Sequence, residues 1–300
     1  MRQWIFSIFL GISVLANARE LPEAPKARPE IGFAVIKTGK IAVPEGLLKP
    51  GGSFIKKIDT NFSAFLIKHH DQYLLFDTGL GSAIDTQYEQ EMTLWQRPFF
   101  SYEKPVISAR DQLKKAHYPD IQEIILSHSH WDHAGGIADF PDAQIHIARQ
   151  EMAAIRQPTS GAGGTWASQL ASTTIRWNSI DFQATPYKGY ASSLDLYKDG
   201  SVVLVPMPGH TAGSIGMFVT VDSGRCYFFI GDVAWTVDAL EAGAAKFWAA
   251  SIIVDQHADQ TRESLEKVRK TMRDYPDLIV VPAHDSQVQN RLGYFPEWVR

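Results

Sequence analysis

Short, dense apolar runs alternate along the chain with polar turns, the pattern of buried strands joined by surface loops. Phe33–Lys37, Ala64–Lys68 and Tyr73–Phe76 read as strands. The last two are joined by the polar His69-His70-Asp71-Gln72, a hairpin signal that predicts His69 and His70 in an exposed turn. Ile121–Leu126, Gln144–Ala148, Val202–Pro206, Ile215–Val221, Cys226–Ile230 and Leu278–Val281 continue the series. Helices are predicted over Ser108–Ala116, Gln150–Arg156 and Asp259–Met272; in the last, Leu265, Val268 and Met272 form an apolar stripe between charges. The pattern loosens between Gly79 and Tyr118, around the aromatic group Trp95, Phe99, Phe100 and Tyr102, and again at the Gly-rich Ser160–Gly164. Strands in two batches, each with helices interposed, predict a layered α/β architecture with two sheets inside.

The N-terminus departs from this pattern. Arg2 precedes an apolar run from Trp4 to Leu15, followed by Ala16-Asn17-Ala18. A positive start, an apolar stretch and a small-x-small site make a secretory signal peptide cleaved after Ala18. The run falls short of the roughly 20 residues that a membrane span needs. Residues 1–18 are therefore read as a signal peptide and 19–300 as one domain. The expectation is a periplasmic or secreted protein with no stable membrane anchor after cleavage.

The 300 residues are 45% hydrophobic and 21% charged, enough to bury a core without disulfides or structural metals. Any metal site would then serve catalysis rather than hold the fold. A formal charge of −4 gives no basis for nucleic-acid binding. Cys226 is the single cysteine, so no internal disulfide forms, and its strand-like surroundings predict a small core residue.

Candidate chemistry centres on His128-Ser129-His130-Trp131-Asp132-His133, directly after a predicted buried strand. Imidazole nitrogens and carboxylate oxygens are the donors that zinc and similar divalent ions accept. Gly135-Gly136 is expected to let the backbone bend tightly afterwards. Other candidates also follow apolar strands: Asp77, His210 in Pro208-Gly209-His210, Asp232 after Gly231, and His284 after Ala283. Strand ends on one sheet edge are where sites gather in α/β folds. His117, His146 and His257 sit at a helix end, within a strand and before a helix, and are not read as ligands.

Together these motifs resemble the metallo-β-lactamase superfamily, matched from about residue 60 to 290 at Asp77, 128–133, His210, Asp232 and His284. The resemblance implies an αββα sandwich and two divalent ions, zinc first, with manganese, iron or cobalt tolerated. It implies His128, His130 and His210 around one ion and Asp132, His133 and His284 around the other. Asp232 would bridge them, and Asp77 would orient a ligand without binding metal. The implied chemistry is attack by a hydroxide between the metals, with Asp132 or Asp232 as the catalytic carboxylic group returning a proton to the leaving oxygen.

Among the family's branches, glyoxalase II-like thioesterases carry a helical domain after the final ligand, whereas 16 residues follow His284 here. True β-lactamases usually lack the histidine that stands here as His133 and use Cys in place of Asp232. The tRNA-processing nucleases fit poorly with export and net negative charge. The pattern is nearest to acyl-homoserine lactonases and methyl parathion hydrolase-like enzymes. Lactonases often place Tyr three residues after the bridging Asp, where this chain has Trp235. The expected substrate is a small molecule, a lactone or ester with an apolar tail, with a phosphotriester as the alternative. A non-catalytic metal-binding or ligand-sensing role is the alternative from another class. Trp95, Phe99, Phe100, Trp166 and Trp235 are candidates to line the pocket, and apolar surface loops are compatible with a homodimer.

Overall fold

The computed structural model describes residues 29–244 and 246–300; the predicted signal peptide lies outside the described residues. One sheet runs in the order β1 (Ile31–Pro44), β2 (Lys57–His69), β3 (Gln72–Phe76), β4 (Glu123–Ile125), β5 (Gln144–Ala148) and β6 (Arg176–Ile180). Its first strands pair antiparallel, and β3 to β6 pair parallel. The second sheet contains β7 (Leu194–Asp195), β8 (Val202–Pro206), β9 (Ile215–Thr220), β10 (Cys226–Phe229) and β11 (Ile279–Val281), in the order β11-β10-β9-β8-β7. Its helical complement is α1 (Glu45–Leu48), α2 (Ile84–Glu91), α3 (Ala109–Lys115), α4 (Met152–Arg156), α5 (Val237–Glu241), α6 (Trp248–Val254), α7 (Ala258–Asp274) and α8 (Ser286–Leu292).

Strand alternation explains the sandwich. Phe33 and Val35 of β1 join Phe65, Ile67 and Phe76 in a core shared with Leu204, Met217 and Phe229 of the other sheet. Their neighbours Ala34 and Ile36 point the opposite way, into a second core with Leu66, Leu75 and Leu113 of α3. Val203, Val205, Phe218 and Phe228 likewise face Leu265 and Val268 of α7 on the far side. Both faces of each sheet are thus covered, which is why the strands read as continuous apolar runs. The architecture is the αββα arrangement that the motif resemblance implied.

Several expectations needed correction. β1 and β2 are far longer than their apolar stretches, because a ladder from Ile31↔His69 to Pro44↔Lys57 carries polar positions along with it. β6 is a polar edge strand with no apolar run to mark it. His69 does not sit in an exposed turn: it ends β2 with its ring stacked on Tyr197 at 3.6 Å and Nε2 2.7 Å from Asp199 Oδ2. His70 is exposed as expected. Cys226 begins β10 half-buried rather than within the core.

Candidate metal centre

The polar clusters emerge from the ends of β3, β4, β8, β10 and β11, brought to one edge of the sandwich. Ile215 N–H donates to the Ser127 carbonyl (2.9 Å) and Asn61 N–H to the His284 carbonyl (3.3 Å), tying the sheets together there. His128, His130 and His210 converge, with the Nε2 atoms of His128 and His210 only 3.1 Å apart. Asp132, His133 and His284 form an adjoining group, with Asp132 Oδ2 3.4 Å from His284 Nε2 and 3.8 Å from His133 Nε2. Asp232 lies between them: Oδ1 is 3.3 Å from His133 Nε2 and 3.1 Å from His284 Nε2, and Oδ2 is 3.6 Å from His210 Nε2.

Four of the five imidazoles are oriented from behind. His133 Nδ1–H donates to Asp77 Oδ2 at 2.8 Å, and His128 Nδ1 lies 3.0 Å from Ser127 Oγ, which itself donates to Asp77 Oδ2. His210 Nδ1 is 2.8 Å from Asp255 Oδ1, and His284 Nδ1 is 2.8 Å from the Asn61 carbonyl oxygen. With Nδ1 engaged outward in these four rings, their Nε2 atoms face inward, where metal ligation needs a lone pair. Asp77 holds its position with φ of 58° and no solvent exposure. It also accepts from Ser127 N–H at 2.7 Å.

Glycine enters through close approach. A Cβ on Gly135 would lie 2.8 Å from the Gly79 carbonyl oxygen, so the bare backbone lets the loops after β3 and β4 touch. The chain also bends tightly at Gly135-Gly136, with Ile137 N–H donating to the Ala134 carbonyl at 3.1 Å around the two glycines, and it does so without a positive φ at either residue. Gly209 has one, at 137°, and presses against Thr261 at the start of α7.

The donor set fits divalent ions on a direct observation. His130 Nε2, His133 Nε2 and Asp232 Oδ1 are buried without a hydrogen-bond partner, an arrangement that costs free energy unless something else engages them. Electrostatics divide the centre. Burial, reinforced by neighbouring imidazoles, pushes His128 and His130 well below the ordinary histidine value; burial and then Lys246 lower His210. These three are therefore neutral, the form that coordinates. Burial opposes ionisation of His133 and His284 too, yet the surrounding carboxylates, Asp77 foremost for His133 and Asp232 for His284, raise both. Reciprocally, His284 and His133 outweigh burial and hold Asp232 well below the usual carboxylate range.

A cavity of ≈ 290 Å³ opens above this centre, with Asp132, Asp232, His130, His210 and His284 at its floor. Phe62, Phe100, Trp131, Phe247 and Ile253 are among its apolar walls. Trp95, Phe99, Phe100 and Trp235 line it, with Trp95 and Phe99 at the exposed rim. Trp166 does not: it is fully buried behind the wall, stacked on Trp131 at 5.1 Å with its indole N–H on the Gly161 carbonyl. Trp235 donates its indole N–H to Asp232 Oδ2 at 2.8 Å.

Sequence reading missed Lys246, Asp255, Glu151 and Asn61. Glu151, 1% exposed, accepts from Ser129 N–H and Oγ–H and from Gly213 N–H, joining the loop after β4 to the loop after His210. A lone acid, lysine or asparagine carries no sequence signal distinguishing it from a surface polar residue.

The family model for the metallo-β-lactamase superfamily matches residues 61–284, spanning Asp77 to His284. The chain belongs to the metallo-β-lactamase superfamily. It is a hydrolase of that superfamily, with relatives among the N-acyl homoserine lactonases. It is 30% identical over 236 residues to a probable metallo-hydrolase of Mycobacterium tuberculosis, covering 73% of each chain. It is 27% identical over 191 residues to the N-acyl homoserine lactonase AttM of Rhizobium radiobacter, covering 63% of this chain and 68% of that one. Among solved structures, an N-acyl homoserine lactone hydrolase with N-hexanoyl-L-homoserine bound at its catalytic metal centre superposes with a TM-score of 0.67. That match, at 17% identity, covers 91% of this chain and 100% of the other, and it establishes the shared metallo-β-lactamase fold.

Proposed function

We propose that this superfamily member is a dinuclear-metal hydrolase of lactones or carboxylic esters with an apolar tail. The observation carrying this reading is the placement of unpartnered histidine and aspartate atoms at the floor of an apolar-walled cavity. His128, His130 and His210 would hold one ion, Asp132, His133 and His284 the other, and Asp232 both. Divalent ions there, with zinc best matched to the nitrogen-rich donor set, would polarise a carbonyl and generate a hydroxide nucleophile at neutral pH.

The chain's own residues do the rest. Phe62, Phe100, Trp131 and Phe247 shed water from a bound acyl tail and orient the scissile group toward the floor. Asp132, less buried than Asp232, is placed to hold a proton for the leaving oxygen. Trp235 has its single N–H engaged by Asp232, so it acts as a wall and a support for that carboxylate rather than as a substitute for the substrate-binding Tyr of lactonases. Relatedness to AttM favours lactones within the ester class.

The test is a panel of acyl-homoserine lactones of increasing chain length, chromogenic esters and phosphotriesters. The expected outcome is lactone or ester turnover that improves with tail length, disappears on chelation and returns with zinc. Turnover of phosphotriesters alone would reassign the substrate class, and no turnover by fully zinc-loaded protein would favour a ligand-binding role. Export is proposed from the N-terminal pattern, and N-terminal sequencing of protein from culture fractions checks cleavage after Ala18.

A further inference from the structure

The most unusual group outside the ligand set is a buried ion pair. Lys246 Nζ donates to Asp255 Oδ1 at 2.9 Å, and both side chains are 0% exposed. Neither partner faces solvent, and each is also engaged by the metal-binding residues. Asp255 Oδ1 lies 2.8 Å from His210 Nδ1. Lys246 Nζ donates to the Asp232 backbone carbonyl at 2.6 Å and lies 5.7 Å from the Trp235 ring centroid.

These residues bracket α6, which spans Trp248–Val254 and supplies Ala249, Ala250, Ile253 and Val254 to the cavity wall. Lys246 stands just before the helix and Asp255 is its C-cap. The helix has little to hold it in place by itself. Its seven residues fall short of intrinsic stability, no side chain caps its N-terminus, and Trp248 and Ile252 are exposed. Its rear end is sewn to the ligand loop: Gln256 N–H donates to the His210 carbonyl and His257 N–H to the Gly209 carbonyl, both at 2.9 Å.

We infer that Lys246 and Asp255 are positioning residues that make the α6 wall part of the metal centre, so that occupancy of the His128–His130–His210 group holds the wall in its substrate-binding position. An ion that fixes the His210 ring fixes Asp255 through Nδ1, and Asp255 fixes Lys246 and both ends of α6. An ion held by both rings would take the place of the direct contact between His128 Nε2 and His210 Nε2, which lie 3.1 Å apart. The inference rests on the proposed metal-dependent reading of the site.

Hydrogen–deuterium exchange on the full chain, with zinc bound, stripped by chelator and reloaded, reads this directly. Amides of 248–257 should exchange faster on stripping, relative to those of β9, and recover with zinc. Removing one charge would strand the other in the interior, so the variant is the paired Lys246→Met with Asp255→Leu. It should show fast exchange over 248–257 with or without zinc. Zinc affinity should fall roughly 10–100-fold, and KM for a lactone should rise more than kcat falls. Exchange over 248–257 that ignores zinc in the native chain, or a paired variant with native zinc affinity and native zinc-responsive exchange, overturns the inference. If the paired variant fails to fold, the native chain with and without zinc decides. Absence of lactone turnover would sink the substrate reading while leaving the exchange and zinc arms intact.

Discussion

Replacing Asp77 by Asn keeps the shape of a side chain that has no solvent exposure, and changes only what its second oxygen can do. One carboxylate oxygen takes Ser127 N–H at 2.7 Å; the other takes Ser127 Oγ–H and His133 Nδ1–H, each at 2.8 Å. An Asn oxygen can keep the first contact, but its NH2 then faces two donors. His133 escapes the conflict by moving its proton to Nε2, the atom that lies 3.3 Å from Asp232 Oδ1 and is needed as a lone pair. A lost hydrogen bond to a charged group corresponds to ~1.5–3 kcal/mol, and about 1.4 kcal/mol is tenfold in affinity. The expected loss is therefore about 10–100-fold in affinity for the ion at Asp132, His133 and His284, in line with the usual effect of a ligand's supporting group. Competition titration against a chromogenic chelator should resolve one weakened and one nearly native step, with turnover falling alongside occupancy. Asp77→Asn protein with native zinc affinity at both steps would refute the proposed tautomer control.

Three further predictions concern the surroundings. Trp166→Ala should destabilise the chain by about 3–5 kcal/mol in urea denaturation, because it empties a fully buried site behind Trp131. Trp235→Phe keeps the wall but removes the N–H to Asp232 Oδ2, and should cost roughly 10–100-fold in kcat/KM, read by steady-state kinetics. Glu45 accepts from Ser53 N–H and pairs with Lys56 and Lys49, which lowers its carboxyl from 4.5 to about 2. A depressed folded-state value means its stabilisation is present above 4.5 and lost as pH falls toward 2. The stability difference between the native chain and Glu45→Gln should therefore shrink across that window; a constant difference would contradict the assignment.

Much of the fold was legible because buried strands leave a dense apolar record. Gln144–Ala148 and Val202–Pro206 match their predicted bounds, since the second is buried on both faces and the first alternates buried with half-buried positions. The record fails where pairing, not burial, makes the strand, as in β6 and the outer halves of β1 and β2. At the site, residues whose chemistry is unusual for a loop stood out: histidines and aspartates following strand ends. Lys246 and Asp255 did not, because their distinction is a burial and a mutual contact that only the folded chain creates. Trp166 and Trp95 illustrate the same limit. Both are tryptophans in irregular segments, yet one is fully enclosed and the other mostly exposed. His69 reverses the lesson, since a hairpin histidine was drawn inward by Asp199, from the connection between β7 and β8, beyond any local pattern.

The division of the donors between the sheets has a mechanical consequence. Asp77 and 128–133 follow strands of one sheet, while His210, Asp232 and His284 follow strands of the other. His128 and His210 meet across 82 residues of sequence. An ion gripped by both would close that long loop as a cross-link, in a chain whose single cysteine precludes a disulfide. Cutting the backbone within the 183–193 connection would then give two fragments, each carrying one sheet and an incomplete donor set. Their reassembly should depend on zinc, so that the same ions would serve as catalysts and as the rivets of a two-piece enzyme.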